Sequence, residues 1–215
     1  MKIILALDYE DPQQAIDIAN KVQGQVDGFK VNHLLWDHTD SIRDLADELF
    51  IDCKLWDTPH TVKQVVQKIV DKGATMTTIC THNNRAVFEE LEQFSDQIKL
   101  LGVTYLTSWN GSDLLEIMHY VPGGVRVMWR DNIDKIRPYG FAGMICSPKD
   151  LEVVNPLTYG MIKVCPGIGA NKGQVRTVSA REATDMGADY LVIGRTITNA
   201  KDPIRAIEEI KESVI

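Results

Sequence analysis

Eight short apolar runs alternate along the 215 residues with stretches of helical spacing, and this alternation limits the folds open to the chain. The runs are Ile3 to Asp8, Gly28 to Val31, Leu49 to Ile51, Thr75 to Cys80, Lys99 to Thr104, Phe141 to Cys146, Gly160 to Cys165 and Tyr190 to Ile193. Short apolar runs bounded by turn residues read as buried parallel strands. Asp11-Pro12 has the form of a helix cap followed by a first-turn proline, and Ala15, Ile16 and Ala19 supply an apolar stripe. Ile42, Leu45, Ala46 and Leu49 predict a second helix leading into the third strand. Thr58-Pro59 opens another, with Val62, Val65, Val66, Ile69 and Val70 on its buried face. Ala86 to Phe94 reads as the helix after the fourth strand. Residues 105–140 carry a weaker pattern: Leu114 to Met118 and Ile133 to Ile136 predict short helices, with a break at Pro122-Gly123-Gly124. Asp202-Pro203 opens the last helix, whose face is Ile204, Ile207 and Ile210.

Eight strands alternating with helices is the count of a (β/α)8 TIM barrel, here a single domain over residues 1–215. An open doubly wound sheet is the alternative, but no G-x-G-x-x-G follows the first strand. A composition 44% hydrophobic and 25% charged suffices for one full core.

Net charge −7 argues against a nucleic-acid binder, while leaving room for a local phosphate pocket. No apolar run approaches the length of a membrane span. The first run turns acidic at Asp8, too early for a signal peptide. Cys53, Cys80, Cys146 and Cys165 form no C-x-x-C pair and lie in or beside apolar runs. That pattern fits reduced, buried thiols, no zinc site and a cytoplasmic location.

The polar residues fall at the strand ends. Asp8 ends the first strand, Lys30 lies near the end of the second, and Asp52 and Lys54 end the third. Thr107-Ser108 follow the fifth, Pro166-Gly167-Ile168-Gly169 the seventh and Gly194-Arg195 the eighth. In a barrel these ends share the face where active sites are built. Residues two apart in a strand share a side, so Asp52 and Lys54 project together, with Cα atoms roughly 7 Å apart. Asp57 falls beyond the strand, in the loop. Alone, this acid–lysine–acid cluster reads as an ion pair capping a strand. Charged ends on the first three strands in succession favour a site. Glycines 167, 169 and 194 permit close backbone approach to a phosphate, and Arg195 adds a planar charged fork. Gln174 lies in the polar loop 170–179, suited to close over a ligand.

These residues resemble the orotidine 5′-phosphate decarboxylase family over nearly the whole chain. The carriers are Leu5-Ala6-Leu7-Asp8, Phe29-Lys30-Val31, Asp52 through Asp57 followed by Pro59-His60-Thr61, Leu106-Thr107-Ser108, Cys165-Pro166-Gly167, Gly173-Gln174-Val175-Arg176 and Val192-Ile193-Gly194-Arg195. The resemblance implies a homodimeric barrel that converts orotidine monophosphate to UMP and CO2 with no metal or other cofactor. It implies Lys54 as proton donor to C6 and Asp52 facing the substrate carboxylate. Asp57 and Thr61 would act across the dimer interface. Asp8 and Lys30 would bind ribose hydroxyls, Lys30 also extending the charged chain. Ser108 would contact the pyrimidine, Pro166 would line its pocket, and Gln174, Gly194 and Arg195 would hold the phosphate. The chain departs from the family pattern at Asn32, Thr58, His60, Cys80 and Gly169.

Loss of CO2 from such a ring leaves a carbanion with no adjacent electron sink. A fixed ammonium can stabilise it and then deliver a proton. A carboxylate set against the substrate carboxylate would repel it by roughly 4 kcal/mol at 4 Å and an effective dielectric near 20, until CO2 departs. Two rivals remain open at this level. One is a Mg²⁺-dependent 3-keto-gulonate-6-phosphate-type decarboxylase or hexulose-phosphate synthase, which shares D-x-K-x-x-D. It requires a carboxylate ligand on strand two, where this chain has Lys30, and lysine does not ligate Mg²⁺. The other is a non-catalytic nucleotide-binding barrel, which has no need of the full charged chain.

Overall fold

The computed structural model describes residues 1–119, 124–169 and 178–214. Among them, eight parallel strands close into a barrel in chain order. They are β1 (Lys2–Ala6), β2 (Gly28–Val31), β3 (Glu48–Leu55), β4 (Met76–Cys80), β5 (Lys99–Val103), β6 (Gly143–Ile145), β7 (Ile162–Pro166) and β8 (Tyr190–Ile193). β8 closes onto β1, with Lys2 opposite Tyr190 and Leu5 opposite Ile193. The (β/α)8 expectation holds.

The proline-led helices start where the sequence places them. Asp11 caps α1 (Pro12–Lys21) by accepting from the Gln13 N–H, and Thr58 caps α2 (Pro59–Asp71) by accepting from that of Thr61. α3 (Arg85–Leu91), α4 (Gly111–Met118) and α5 (Val125–Ile136) follow β4 and β5. α6 (Leu151–Val154) and α7 (Ala180–Asp185) flank β7, and α8 (Arg195–Thr198) starts directly after β8. Asp202 caps α9 (Pro203–Ser213), accepting from the N–H groups of Ile204 and Arg205.

The helix expected through Ile42 and Leu49 does not form. Two 3₁₀ segments, His33–Ser41 and Arg43–Leu45, fill that connection, and Leu49 belongs to β3, opposite Phe29. The segment is rich in Asn, Asp and Thr, which bond their local backbone and compete with an α-helix. Asn32 accepts from the Leu34 N–H, and the Thr39 hydroxyl donates to the Trp36 carbonyl. α5 is much longer than the Ile133–Ile136 turn expected, because Met128, Trp129 and Asn132 are buried with it. The short helices α6, α7 and α8 have too few residues to show a period.

Two apolar layers result. Ile4, Ala6, Phe50, Met76, Leu101, Val103, Ile145, Val164, Tyr190 and Val192 fill the barrel interior. Leu5, Phe29, Ile51, Ile79, Leu100 and Leu191 face the helices. Strand alternation therefore turns Lys30, two after Gly28, and Asp52, two after Phe50, toward the inside. Gly28 has no room for a side chain, since a Cβ there would lie 2.5 Å from the Glu48 carbonyl oxygen. Glu48 plugs the N-terminal end of the barrel. Its carboxylate accepts from Lys2 at 2.9 Å, from Lys99 at 2.8 Å and from the Tyr190 hydroxyl at 3.0 Å. Burial pushes this carboxyl up, but hydrogen bonds led by Lys99 outweigh it and bring it down to about 2.

All four cysteines are free; Cys146 and Cys165 are buried, Cys53 and Cys80 half-buried. No helix among the described residues is long and apolar enough to cross a membrane.

Candidate active site

The charged strand ends meet as an alternating chain. Lys30 Nζ lies 3.0 Å from Asp8 Oδ1 and 3.6 Å from Asp52 Oδ2. Lys54 Nζ lies 2.8 Å from the same Asp52 Oδ2. Lys30 is 8% exposed, so its charge is buried and needs both carboxylates. Asn32, one of the departures from the family pattern, donates from Nδ2 to Asp8 Oδ1 at 3.1 Å. Burial would raise the Asp52 carboxyl, but the ammonium groups of Lys30 and Lys54, with hydrogen bonds from Lys54 and Thr78, hold it below its ordinary value.

Asp52 and Lys54 do project together, though not by regular pleating. The β3–β4 register slips between the pairs Ile51–Thr77 and Leu55–Ile79. Lys54 sits in that slip with φ +49°, left-handed and rare for a residue with a side chain. Strain of this kind clusters at active sites.

A cavity of about 720 Å³ opens above the barrel interior. Asp8, Lys30, Asp52, Lys54, Ser108, Pro166, Gly194 and Arg195 all line it, which unites eight of the residues expected from sequence. Its floor is apolar, from Ala6, Phe50, Val103, Ile145 and Val192. One wall is the charged chain at the ends of β1 to β3; the loops after β7 and β8, with β8 next to β1, carry the rim on round the barrel. Tyr9, Tyr105, Thr198 and Asn199 also line it and carried no sequence signal. Gly169 has φ +100°, and the Thr196 hydroxyl occupies the place of a Cβ. A side chain at 169 would meet Thr196, and among the described residues Arg195 is the cation lining the cavity beside the loop after β8.

Asp57 and Thr61 stand apart. Both are exposed and neither lines the cavity. Asp57 Oδ1 accepts from the Thr58 N–H at 2.6 Å, and the Thr61 and Thr58 hydroxyls lie 3.0 Å apart. Their neighbour Trp56 is 72% exposed. Gln174 lies outside the described residues.

A closed barrel with acid–base side chains, an apolar floor and an arginine–glycine rim at the C-terminal strand ends defines a TIM-barrel enzyme site for a phosphorylated small molecule. The model of the Orotidine 5′-phosphate decarboxylase / HUMPS family matches residues 1–210, and the chain belongs to this family. The orotidine 5′-phosphate decarboxylase of Glaesserella parasuis serovar 5 is 32% identical, over 99% of this chain and 98% of that protein. That of Dictyoglomus thermophilum is 31% identical, over 99% and 94%. Among solved structures, orotidine 5′-phosphate decarboxylase from Lactobacillus acidophilus superposes with a TM-score of 0.82 at 25% identity, covering 99% of this chain and 98% of that one. The enzyme from Pyrococcus horikoshii OT3 gives 0.79 at 27% identity, over 99% and 98%.

Proposed function

We propose that this chain decarboxylates orotidine monophosphate to UMP and CO2, in the cytoplasm, as a step of pyrimidine nucleotide synthesis. The observation that carries the reading is Lys30, held 3.0 Å from Asp8 and 3.6 Å from Asp52. It places an ammonium where the Mg²⁺-dependent branch of this scaffold needs an oxygen ligand. The Asp8 and Asp52 carboxylates are already matched by Lys30 and Lys54. The curated relatives named as decarboxylases support the same choice.

The proposed roles are those the family resemblance implies for these positions. The phosphate takes the rim at Gly194 and Arg195, remote from the chemistry, so its binding energy orients the ring. Gln174 is proposed to add to that grip. The pyrimidine lies over the apolar floor, against Pro166 and Ser108. Asp8 and Lys30 bind the ribose hydroxyls. Asp52 faces the substrate carboxylate, whose repulsion of roughly 4 kcal/mol at 4 Å is relieved as CO2 leaves. The electron pair of the broken C–C bond stays on C6, beside the Lys54 ammonium, which stabilises it and then donates the proton.

Asp57 and Thr61 are proposed to complete the site of a second copy, making the enzyme a homodimer. Their exposure outside their own cavity, beside the exposed Trp56, supports that assignment. A Lys54→Ala variant tests the reaction: it should bind UMP as the parent does and lose turnover by orders of magnitude. Retained turnover would remove Lys54 from the chemistry.

A further inference from the structure

We propose that Thr78 is a positioning residue whose single hydroxyl sets both the backbone of Lys54 and the carboxylate of Asp52. The proposal rests on the decarboxylase reading above for its kinetic consequence, and on geometry alone for its structural one. Thr78 lies on β4, two residues after the interior Met76, and is fully buried. Its Oγ1 accepts from the Lys54 N–H at 2.8 Å and donates to Asp52 Oδ1 at 2.8 Å.

The polarity of this contact is fixed. A backbone N–H only donates, so the hydroxyl must accept from Lys54. Its one proton then has a single destination, the Asp52 carboxylate. With Oδ1 held by Thr78, Oδ2 is the oxygen left to face the two ammonium groups, at 2.8 Å from Lys54 and 3.6 Å from Lys30.

The same hydroxyl addresses the backbone. The β3–β4 register breaks between Ile51 and Leu55, so Lys54 sits within the irregularity. It also sits at φ +49°, a conformation that surroundings must impose. Thr78 supplies the partner for the Lys54 N–H from a side chain instead of a strand carbonyl. Thr81, the next buried threonine on this connection, instead donates to the Val103 carbonyl. The proposal therefore depends on where the hydroxyl points, not on residue type.

Three variants separate hydroxyl from volume. Thr78→Val keeps the shape and removes the hydroxyl, Thr78→Ala removes both, and Thr78→Ser keeps the hydroxyl. Valine and alanine should lower kcat on orotidine monophosphate on the order of 10- to 100-fold, as small misplacements of reacting groups do, with KM and UMP binding little changed. Serine should restore most of the rate.

A carbon-13 NMR titration of Asp52 in the free protein gives a readout independent of turnover. Its midpoint should rise in the valine and alanine variants and stay at the parent value in serine. The groups facing Asp52 are Lys30 from β2, Lys54 and Cys53 from β3, and Asp8 through Lys30; all are unchanged by these substitutions. If the parent makes no UMP, the decarboxylase reading fails while the titration still judges Thr78. A valine variant matching the parent in both readouts would overturn the proposal, as would serine falling with alanine. Should valine not fold, the serine–alanine comparison decides.

Discussion

Lys30 and Lys54 converge on one oxygen of Asp52, their ammonium nitrogens 3.6 and 2.8 Å from Oδ2. Two strands, β2 and β3, thus deliver a carboxylate between two cations, and Asp8, just past the end of β1, extends the alternation. Such a chain keeps buried charge balanced before substrate arrives. It also leaves Lys54, the more exposed of the two lysines at 41% against 10% side-chain exposure, open to the cavity.

If Asp57 serves a neighbouring copy, two inactive chains can repair each other. Lys54→Ala and Asp57→Ala proteins, each nearly inactive, should regain part of the activity when mixed under conditions that exchange subunits. A hybrid dimer then holds one intact site and one doubly damaged site, so the plateau approaches a quarter of parental activity per chain in an equal mixture, by statistical pairing. Mass measurement confirming hybrids without any recovery would count against the shared site.

Arg195 should contribute through the phosphate alone. Arg195→Ala is expected to weaken UMP binding on the order of 10- to 100-fold, the value of a charge-assisted hydrogen bond. Uridine, which lacks the phosphate, should bind both proteins alike. Calorimetry with the two ligands separates this from a general loss of pocket shape.

At the other end of the barrel, Glu48 makes acid stability predictable. Its carboxyl is lowered from 4.5 to about 2, so the unfolded chain binds its proton first. The stabilisation is fully present above pH 4.5 and is lost as pH falls toward about 2. Glu48→Gln should be less stable at neutral pH by on the order of 2 kcal/mol, because Lys2 and Lys99 lose their shared negative charge and one acceptor oxygen becomes a donating NH2. The gap to the parent should narrow on acidification. Denaturant midpoints measured from pH 7 to pH 2 give the comparison.

Much of this was legible in the sequence because it rests on periodicity and caps. Asp11, Thr58 and Asp202 each cap the helix that the following proline predicts. The charged residues of β1 to β3 were readable because barrel topology gathers every strand end on one face. Thr78 was not singled out, although Met76-Thr77-Thr78 has the period of two that turns it inward. Its role depends on the Ile51–Leu55 register slip, which leaves no compositional trace. The false helix at Ile42–Leu49 came from reading strand residues into a helical stripe. Leu49 is apolar because β3 turns it toward the helices, and sequence spacing cannot separate the two causes. Glu48 carried no signal in the sequence; three partners distant along the chain make it a buried plug.

Metal-free decarboxylation by a lysine–carboxylate chain is the chemistry proposed for this protein. Its most direct test is spectrophotometric turnover of orotidine monophosphate by the parent protein, with and without excess EDTA. UMP should form at the same rate in both. Turnover abolished by EDTA and restored by Mg²⁺ would contradict it, as would UMP binding without any turnover.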